Sequence, residues 1–315
     1  MRLLFVRRTR GLGDAVMMTA AVERVTEHFR RLTRDVESHV LIQRAYLPVW
    51  QTNPIVKFAR AFRDNDGKSG YDRVFDLSTV CAEYEAMCER FNRPVDKNRP
   101  QIWTEACGVE WKRTAPRIHL ALEETVAAWT WEMGHHLDRP IIGVGYASIE
   151  SWRDYPHIDL LIELLAKRYG TVLVFHDKEI PTGFPSNVVG CIGLPLREMF
   201  QRVASCDAFV GPDTAHVHVS GALGIPTFGL FGPTDGRIRL SDYDALFGLP
   251  EAFRRCGRQP CWYQPCEGRW CLSTLKPKKI VESLEEWFEE MSIERVDRSI
   301  AEPLEQAPVC SVVLS

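Results

Sequence analysis

Residues 208–230 read AFVGPDTAHVHVSGALGIPTFGL, and this stretch decides the fold. Ala208–Val210 is a short apolar run of strand length, and Gly211-Pro212-Asp213 breaks it. Thr214–Leu223 then carries only small and helix-compatible residues until Gly224-Ile225-Pro226 stops it, and Thr227–Leu230 is apolar again. A strand, a ten-residue helix and a second strand, joined by short breaks, form a right-handed crossover between parallel strands. Working outward toward the N-terminus, the same alternation continues. It predicts a helix at Leu196–Ala204, strands at Val188–Gly190, Val172–Phe175 and Ile141–Val144, and a helix at Ile158–Arg168.

A second alternation occupies the beginning of the chain. Arg2–Val6 is a candidate buried strand, Gly11-Leu12-Gly13-Asp14 a turn, and Ala15–Arg30 a helix free of internal Gly or Pro. Further strands are expected at His39–Ile42 and Arg73–Leu77, and helices at Thr79–Phe91 and Glu124–Leu137. The proline-bearing segment Arg93–Pro116 reads as an irregular connection. Arg139-Pro140 separates the halves, so the expected organisation is an α/β protein of two Rossmann-like domains, 1–138 and 139–277, facing a central cleft. A final helix at 278–291 and a loosely held tail at 292–315 follow.

Composition narrows the function. With 39 Lys+Arg against 42 Asp+Glu the net charge is −3, which offers no electrostatic footprint for nucleic acid. The run Met1–Val6 meets Arg7 and Arg8 too soon to be a secretory leader, and no stretch approaches the length of a membrane-spanning helix. A cytoplasmic protein, with at most peripheral membrane contact, is expected. Cys81, Cys88, Cys107, Cys191 and Cys206 sit in apolar contexts and read as buried thiols.

Chemistry is expected where strands end. Ligands of open parallel sheets bind beyond the strands' carboxyl ends, and a helix start offers free N–H groups and a partial positive charge to an anion. Asp213 reads there as an N-cap, with the amides of Thr214 and Ala215 left for a phosphate and His218 able to donate to it. The next strand ends at Phe231-Gly232-Pro233-Thr234-Asp235, beside the same position. A capped helix with a satisfied histidine is the plainer reading of the same residues.

The run GPDTAHVHVSGALGIPTFGLFGPTD resembles the signature of the heptosyltransferase group, family nine of the glycosyltransferases. LLFVRRTRGLGDAVMMTAAV is similar to that family's first strand and Gly-Asp turn, YASIESWRDYPHIDLLIELLAKRYG to its phosphate-approach segment, and GCIGLPLREMFQRVASCDAFVG to its penultimate helix and strand. The resemblance implies the two-domain fold called GT-B, and an inverting, metal-independent transfer of a heptose from ADP-heptose to a hydroxyl of a lipopolysaccharide-type acceptor. It implies no required cofactor, and as partners a nucleotide-sugar donor and a glycan or lipid-linked acceptor. Asp14 falls on the family's catalytic carboxylate, with Gly11 and Gly13 beside it on the acceptor side, whereas without the resemblance Asp14 reads as a helix N-cap. Thr214 and His218 fall on phosphate-binding positions, and Glu179 near the ribose-binding glutamate. Two departures stand out. Arg153 replaces the family's lysine, with Tyr155 for its tryptophan, and Ala215 replaces a glycine. These departures keep two other classes open, a nucleotide-sugar epimerase or hydrolase on the same fold and a binding module without turnover.

Three features remain outside that picture. Cys256, Cys261, Cys266 and Cys271 form a C-x4-C-x4-C-x4-C run whose spacing exceeds that of structural zinc sites. Similar clusters occur in relatives, including iron-binding ones. Reduced cysteines packing a loop are the favoured reading, and a zinc or iron ion held there would be structural. Asp64-Asn65-Asp66 and Asp242-Tyr243-Asp244 read as solvated turns rather than metal-diphosphate sites. His135, His136, Trp129, Trp131 and Trp152 read as surface and packing residues.

Overall fold

Apolar strands of four to six residues alternating with amphipathic helices can bury both sheet faces only by crossing over in parallel, and the chain does so twice. The computed structural model describes residues 1–62, 69–244, 247–248 and 270–291. The chain divides into two compact units. The first holds Met1–Ala121 with the short segments Gly221–Gly224 and Arg237–Asp244, and the second holds the remainder.

In the first unit, β1 (Arg2–Arg7), β2 (Glu37–Ile42), β3 (Val56–Ala61) and β4 (Arg73–Asp76) form a parallel sheet in the order β3-β2-β1-β4. The helix α1 (Leu12–Leu32) lies against it through Ala15, Val16, Met18, Val22 and Val25. A buried hydrogen bond of 2.6 Å joins the Thr26 and Ser38 hydroxyls of α1 and β2. The helix α2 (Val80–Arg90) precedes a segment expected to be irregular, which instead forms α3 (Arg99–Ala106). The reason is local. The Asn98 side chain accepts from the Gln101 N–H at 2.8 Å, and Pro100 occupies the first turn, where its missing N–H leaves no bond unmade. Trp103 of α3 is buried and donates to the Leu77 carbonyl at 3.2 Å.

The second unit opens with α4 (Leu122–Gly134), ahead of the boundary expected at residue 139. Ion pairs explain its allegiance. Glu124 accepts from Arg197 Nε at 2.6 Å, and Glu132 pairs with Arg139 at 2.7 Å. After β5 (Ile141–Gly145), α5 (Ile158–Ala166), β6 (Thr171–His176), β7 (Val188–Ile192), α6 (Leu196–Ala204), β8 (Ala208–Pro212), α7 (Ala215–Ala222) and β9 (Thr227–Leu230) come α8 (Gly236–Arg239), β10 (Phe247–Gly248), α9 (Trp270–Ser273) and α10 (Pro277–Glu290), of which the end of α7 and nearly all of α8 belong to the first unit. The strands are all parallel, in the order β10-β9-β8-β5-β6-β7. The helices α5 and α10 cover one face through Leu161, Leu165, Ile280 and Leu284, each worth roughly 1.5–3 kcal/mol of burial. Residues 292–315, expected as a loose tail, lie outside the described residues.

In both sheets the strand order reverses direction once, beside β1 in the first and between β5 and β8 in the second. Where helices leave neighbouring strand ends toward opposite faces at such a reversal, a crevice opens at the carboxyl edge.

Packing behind the second crevice is tight at Gly143. A Cβ there would stand 2.4 Å from the Phe209 ring and 2.8 Å from Cys206 Sγ. Gly143→Ala is therefore expected to cost about 1–3 kcal/mol, read as a lowered urea midpoint. Gly134→Ala, where a Cβ meets nothing within 4 Å, is expected to leave the midpoint unchanged or raise it.

Candidate active site

Each crevice carries charged residues, and each is built from its own unit. At the end of β1, Gly11 adopts φ +123°, and a Cβ on it would lie 3.1 Å from Asp14 Oδ2. Glycine at 11 is thus required both by the backbone and by the carboxylate folded against it. Helix α1 begins at Leu12, earlier than expected, so Gly13 and Asp14 fall in its first turn, where a negative charge meets the helix dipole.

Asp14 does not stand free at a turn. Arg7 Nη2 holds Oδ2 at 2.7 Å, and Arg99 Nη1 holds Oδ1. Arg7 itself is buried, donates to the Thr9 and Arg10 carbonyls at 3.0 and 2.9 Å, and lies 6.0 Å from the Trp103 ring centre. Arg99 continues to the buried Glu85 at 3.1 Å, which also accepts from Arg239 at 3.1 Å. Three guanidinium groups thus share two carboxylates. Burial works to raise the Asp14 carboxyl, but Arg99 and then Arg7 outweigh it, and the group is held below its ordinary value.

At the β5–β8 reversal a second cluster gathers. Asp213 Oδ2 accepts from the Thr234 hydroxyl at 2.7 Å and lies 3.5 Å from Arg153 Nη1, and Oδ1 lies 3.9 Å from His218 Nε2. Asp213, Thr214, His218 and Thr234 are all buried, and Ala215 opens α7 beside them. Arg153 closes a short 3-10 turn, with Glu150 at 3.1 Å and its guanidinium 5.5 Å from the Trp152 ring centre. Its separation from Asp213 exceeds that of a charge-assisted hydrogen bond, so the carboxylate orients the cation without engaging it fully. Arg153 Nε, Thr214 Oγ1 and His216 Nδ1 are buried without hydrogen-bond partners, an arrangement with donor capacity in reserve.

Packing explains one departure noted in the sequence and one glycine beside it. Tyr155 is core, its hydroxyl donating to the Leu275 carbonyl at 2.7 Å, so the residue there is chosen by packing. Gly232 is small because a Cβ would stand 2.5 Å from Leu272 and 2.8 Å from Cys271 Sγ. Glu179 is exposed in the segment after β6. The sequence reading missed Arg7, Glu85, Arg99 and Arg239 as partners, and also Gly145, where a Cβ would crowd Thr214 Oγ1 to 3.3 Å. It missed His216 as well, whose imidazole burial pushes down to about 4.

Of the four clustered cysteines, Cys256, Cys261 and Cys266 lie outside the described residues, and Cys271 is a buried thiol. Among the described residues no group of three or more His, Cys, Asp or Glu is arranged to hold a metal ion, and no helix is long and apolar enough to cross a membrane. Asp64 and Asp66 are likewise outside the described set. Asp242 corrects the expectation of a solvated turn, being buried with Oδ2 unpartnered, whereas Asp244 is exposed and pairs with Arg117 at 2.8 Å.

The sequence model of glycosyltransferase family 9 (heptosyltransferase) matches residues 87–244, half of the chain, and the chain belongs to that family. It is 29% identical over 98 residues to lipooligosaccharide heptosyltransferase 2 of Campylobacter jejuni, an alignment that spans 30% of the chain and 30% of that relative. Two solved structures share the fold. A family 9 glycosyl transferase from Veillonella parvula matches 92% of the chain and 97% of its own length, with TM-score 0.70 and 14% identity. The E. coli ADP-heptose LPS heptosyltransferase II matches 93% of the chain and all of its own length, with TM-score 0.66 and 15% identity. The architecture is therefore GT-B, with two Rossmann-like parallel-sheet units.

Burial raises the Asp242 carboxyl from 3.8 to about 7, against a lowering pull from Arg113. A carboxyl whose folded pKa lies above its unfolded value stabilises fully below 3.8 and loses that contribution as pH climbs through about 7. Asp242→Asn should therefore match the wild-type melting temperature in acid and exceed it progressively toward pH 8. Melting curves across this range check it; a constant difference would show that Asp242 does not carry the titration.

Proposed function

We propose that the chain is an inverting glycosyltransferase that moves a heptose from an ADP-activated donor to a hydroxyl of a lipopolysaccharide-type acceptor. The observation that carries this reading is the convergence of Arg153, Asp213, Thr214, His218 and Thr234 at the β5–β8 reversal. A nucleoside diphosphate leaving group needs a cation and a helix start, and this position supplies both. Arg153 meets the β-phosphate charge in place of the lysine expected there, in the role a metal ion plays in other transferases. The unpartnered Thr214 hydroxyl and the amide of Ala215 take a phosphate oxygen. Gly232 gives close approach to the donor, and Glu179 pairs with the ribose diol.

In the reaction the acceptor oxygen attacks the anomeric carbon, the bond from that carbon to the β-phosphate oxygen breaks, and its electron pair leaves with ADP. The acceptor proton passes to Asp14, and one displacement inverts the centre. The lowered Asp14 pKa suits this role in a specific way. A weak, always-ionised carboxylate is adequate where the transition state is oxocarbenium-like, because the hydroxyl becomes acidic only as the new bond forms. Arg7 and Arg99 keep the base unprotonated throughout the neutral range. The donor and a lipid-linked or glycan acceptor are the partners, on the cytoplasmic side of the membrane.

Two variants test the assignment. Asp14→Asn should lower turnover of ADP-heptose about 10²–10⁴-fold while calorimetry still registers donor binding, and wild-type kcat/KM should show no acidic limb near neutrality. Arg153→Ala should weaken donor affinity itself, with Arg153→Lys recovering part of it. Full-rate transfer by Asp14→Asn would remove Asp14 as base. Release of free sugar without acceptor would mark a hydrolase, and donor binding without transfer to any acceptor a binding module.

A further inference from the structure

The helix α4 is inside out. Its charged residues Glu124 and Glu132 face the protein, where they meet Arg197 and Arg139, and Trp131 lies under the Arg202 guanidinium at 4.0 Å. Ala128 completes this buried face. The opposite face carries Leu122, Val126, Trp129 and Met133, exposed by 75%, 51%, 63% and 58%. These four fall on one side of the helix, over a length of about 17 Å. A surface helix ordinarily turns its apolar stripe inward, so a polar inner face and an apolar outer face together mark a surface that expects cover.

We infer that this stripe is the contact between two copies of the chain, packed as antiparallel α4 helices across a twofold axis. The spacing is the first argument. The intervals 122–126, 126–129 and 129–133 are four, three and four residues, a pattern that reads the same in either direction. A reversed second helix therefore sets Leu122 against Met133 and Val126 against Trp129, as an isologous contact requires. Charge is the second argument. Antiparallel packing brings exposed Glu123 at the start of one helix near exposed His136 at the end of the other, and opposes the two helix dipoles. The helix carries Glu123, Glu124 and Glu132 and no Lys or Arg, which disfavours an anionic lipid surface as the occupant. Area is the third. Four such side chains offer on the order of 500 Å² per copy, about 1,000 Å² in the pair, at the threshold of a specific but reversible interface.

Sedimentation velocity on the full chain, from low to high micromolar, tests this. The wild type should pass from monomer to dimer across the range, and a Val126→Glu, Trp129→Glu double variant should raise the dissociation constant by about two orders of magnitude with an unchanged circular dichroism spectrum. Leu160→Glu, at another exposed apolar position, should leave the dimer intact. A wild type that stays monomeric throughout overturns the inference, as does a dimer that survives the double variant. Monomeric wild type that binds phosphatidylcholine–phosphatidylglycerol vesicles through the same two residues overturns it in favour of a lipid surface.

Discussion

A parallel sheet sends every carboxyl end to the same edge, and where its strand order turns back no helix can cover that edge. The rest of this protein depends on that constraint. Gly145 and Pro212 end neighbouring strands at the reversal between β5 and β8, so the residues that follow them, Arg153 on one side and Asp213 and Thr214 on the other, meet over the gap. At the first sheet the same rule places Arg7, Gly11 and Asp14 at the end of β1, the strand between β2 and β4. Position follows from topology; only the choice of side chain is left to chemistry.

The two crevices solve opposite electrostatic problems. Asp14 is a single negative charge surrounded by cations, fixed by both oxygens and kept ionised. Arg153 is a single positive charge beside Asp213 at a distance that aims it while leaving its Nε unpartnered. On the proposed function, an anion binding there would find a cation already oriented, a hydroxyl already desolvated and a helix start, so little reorganisation would remain to be done. Asp213 also accepts from the Thr234 hydroxyl and lies 3.9 Å from His218.

Much of this was written in short-range pattern. Leu196–Ala204 and Thr227–Leu230 appear at the expected bounds because Pro195 and Pro226 stand next to them and punctuate the chain. The sequence motif at 211–218 likewise sits at the strand end that its order of residues required. What escaped was non-local or disguised. Arg99 reaches Asp14 from 85 residues away and carries Glu85 with it, and no spacing rule joins them. Pro100 looks like a breaker yet serves the first turn of α3, and β3 escaped because VKFARA alternates charge with apolar residues on a largely exposed strand. Asp242 differs from Asp244 only in which side of a short turn is buried.

Helix α4 shows why polarity must be read together with partners. Judged by composition, Leu122, Val126, Trp129 and Met133 should be core and the glutamates solvated. Arg197, Arg139 and Arg202 reverse this by engaging Glu124, Glu132 and Trp131 on the inner face of the helix. The ion pairs fix the rotation of the helix about its axis. Once that rotation is fixed, the outward apolar face follows from the 3.6-residue period, so the same arginines that attach α4 to its unit also determine which surface it presents.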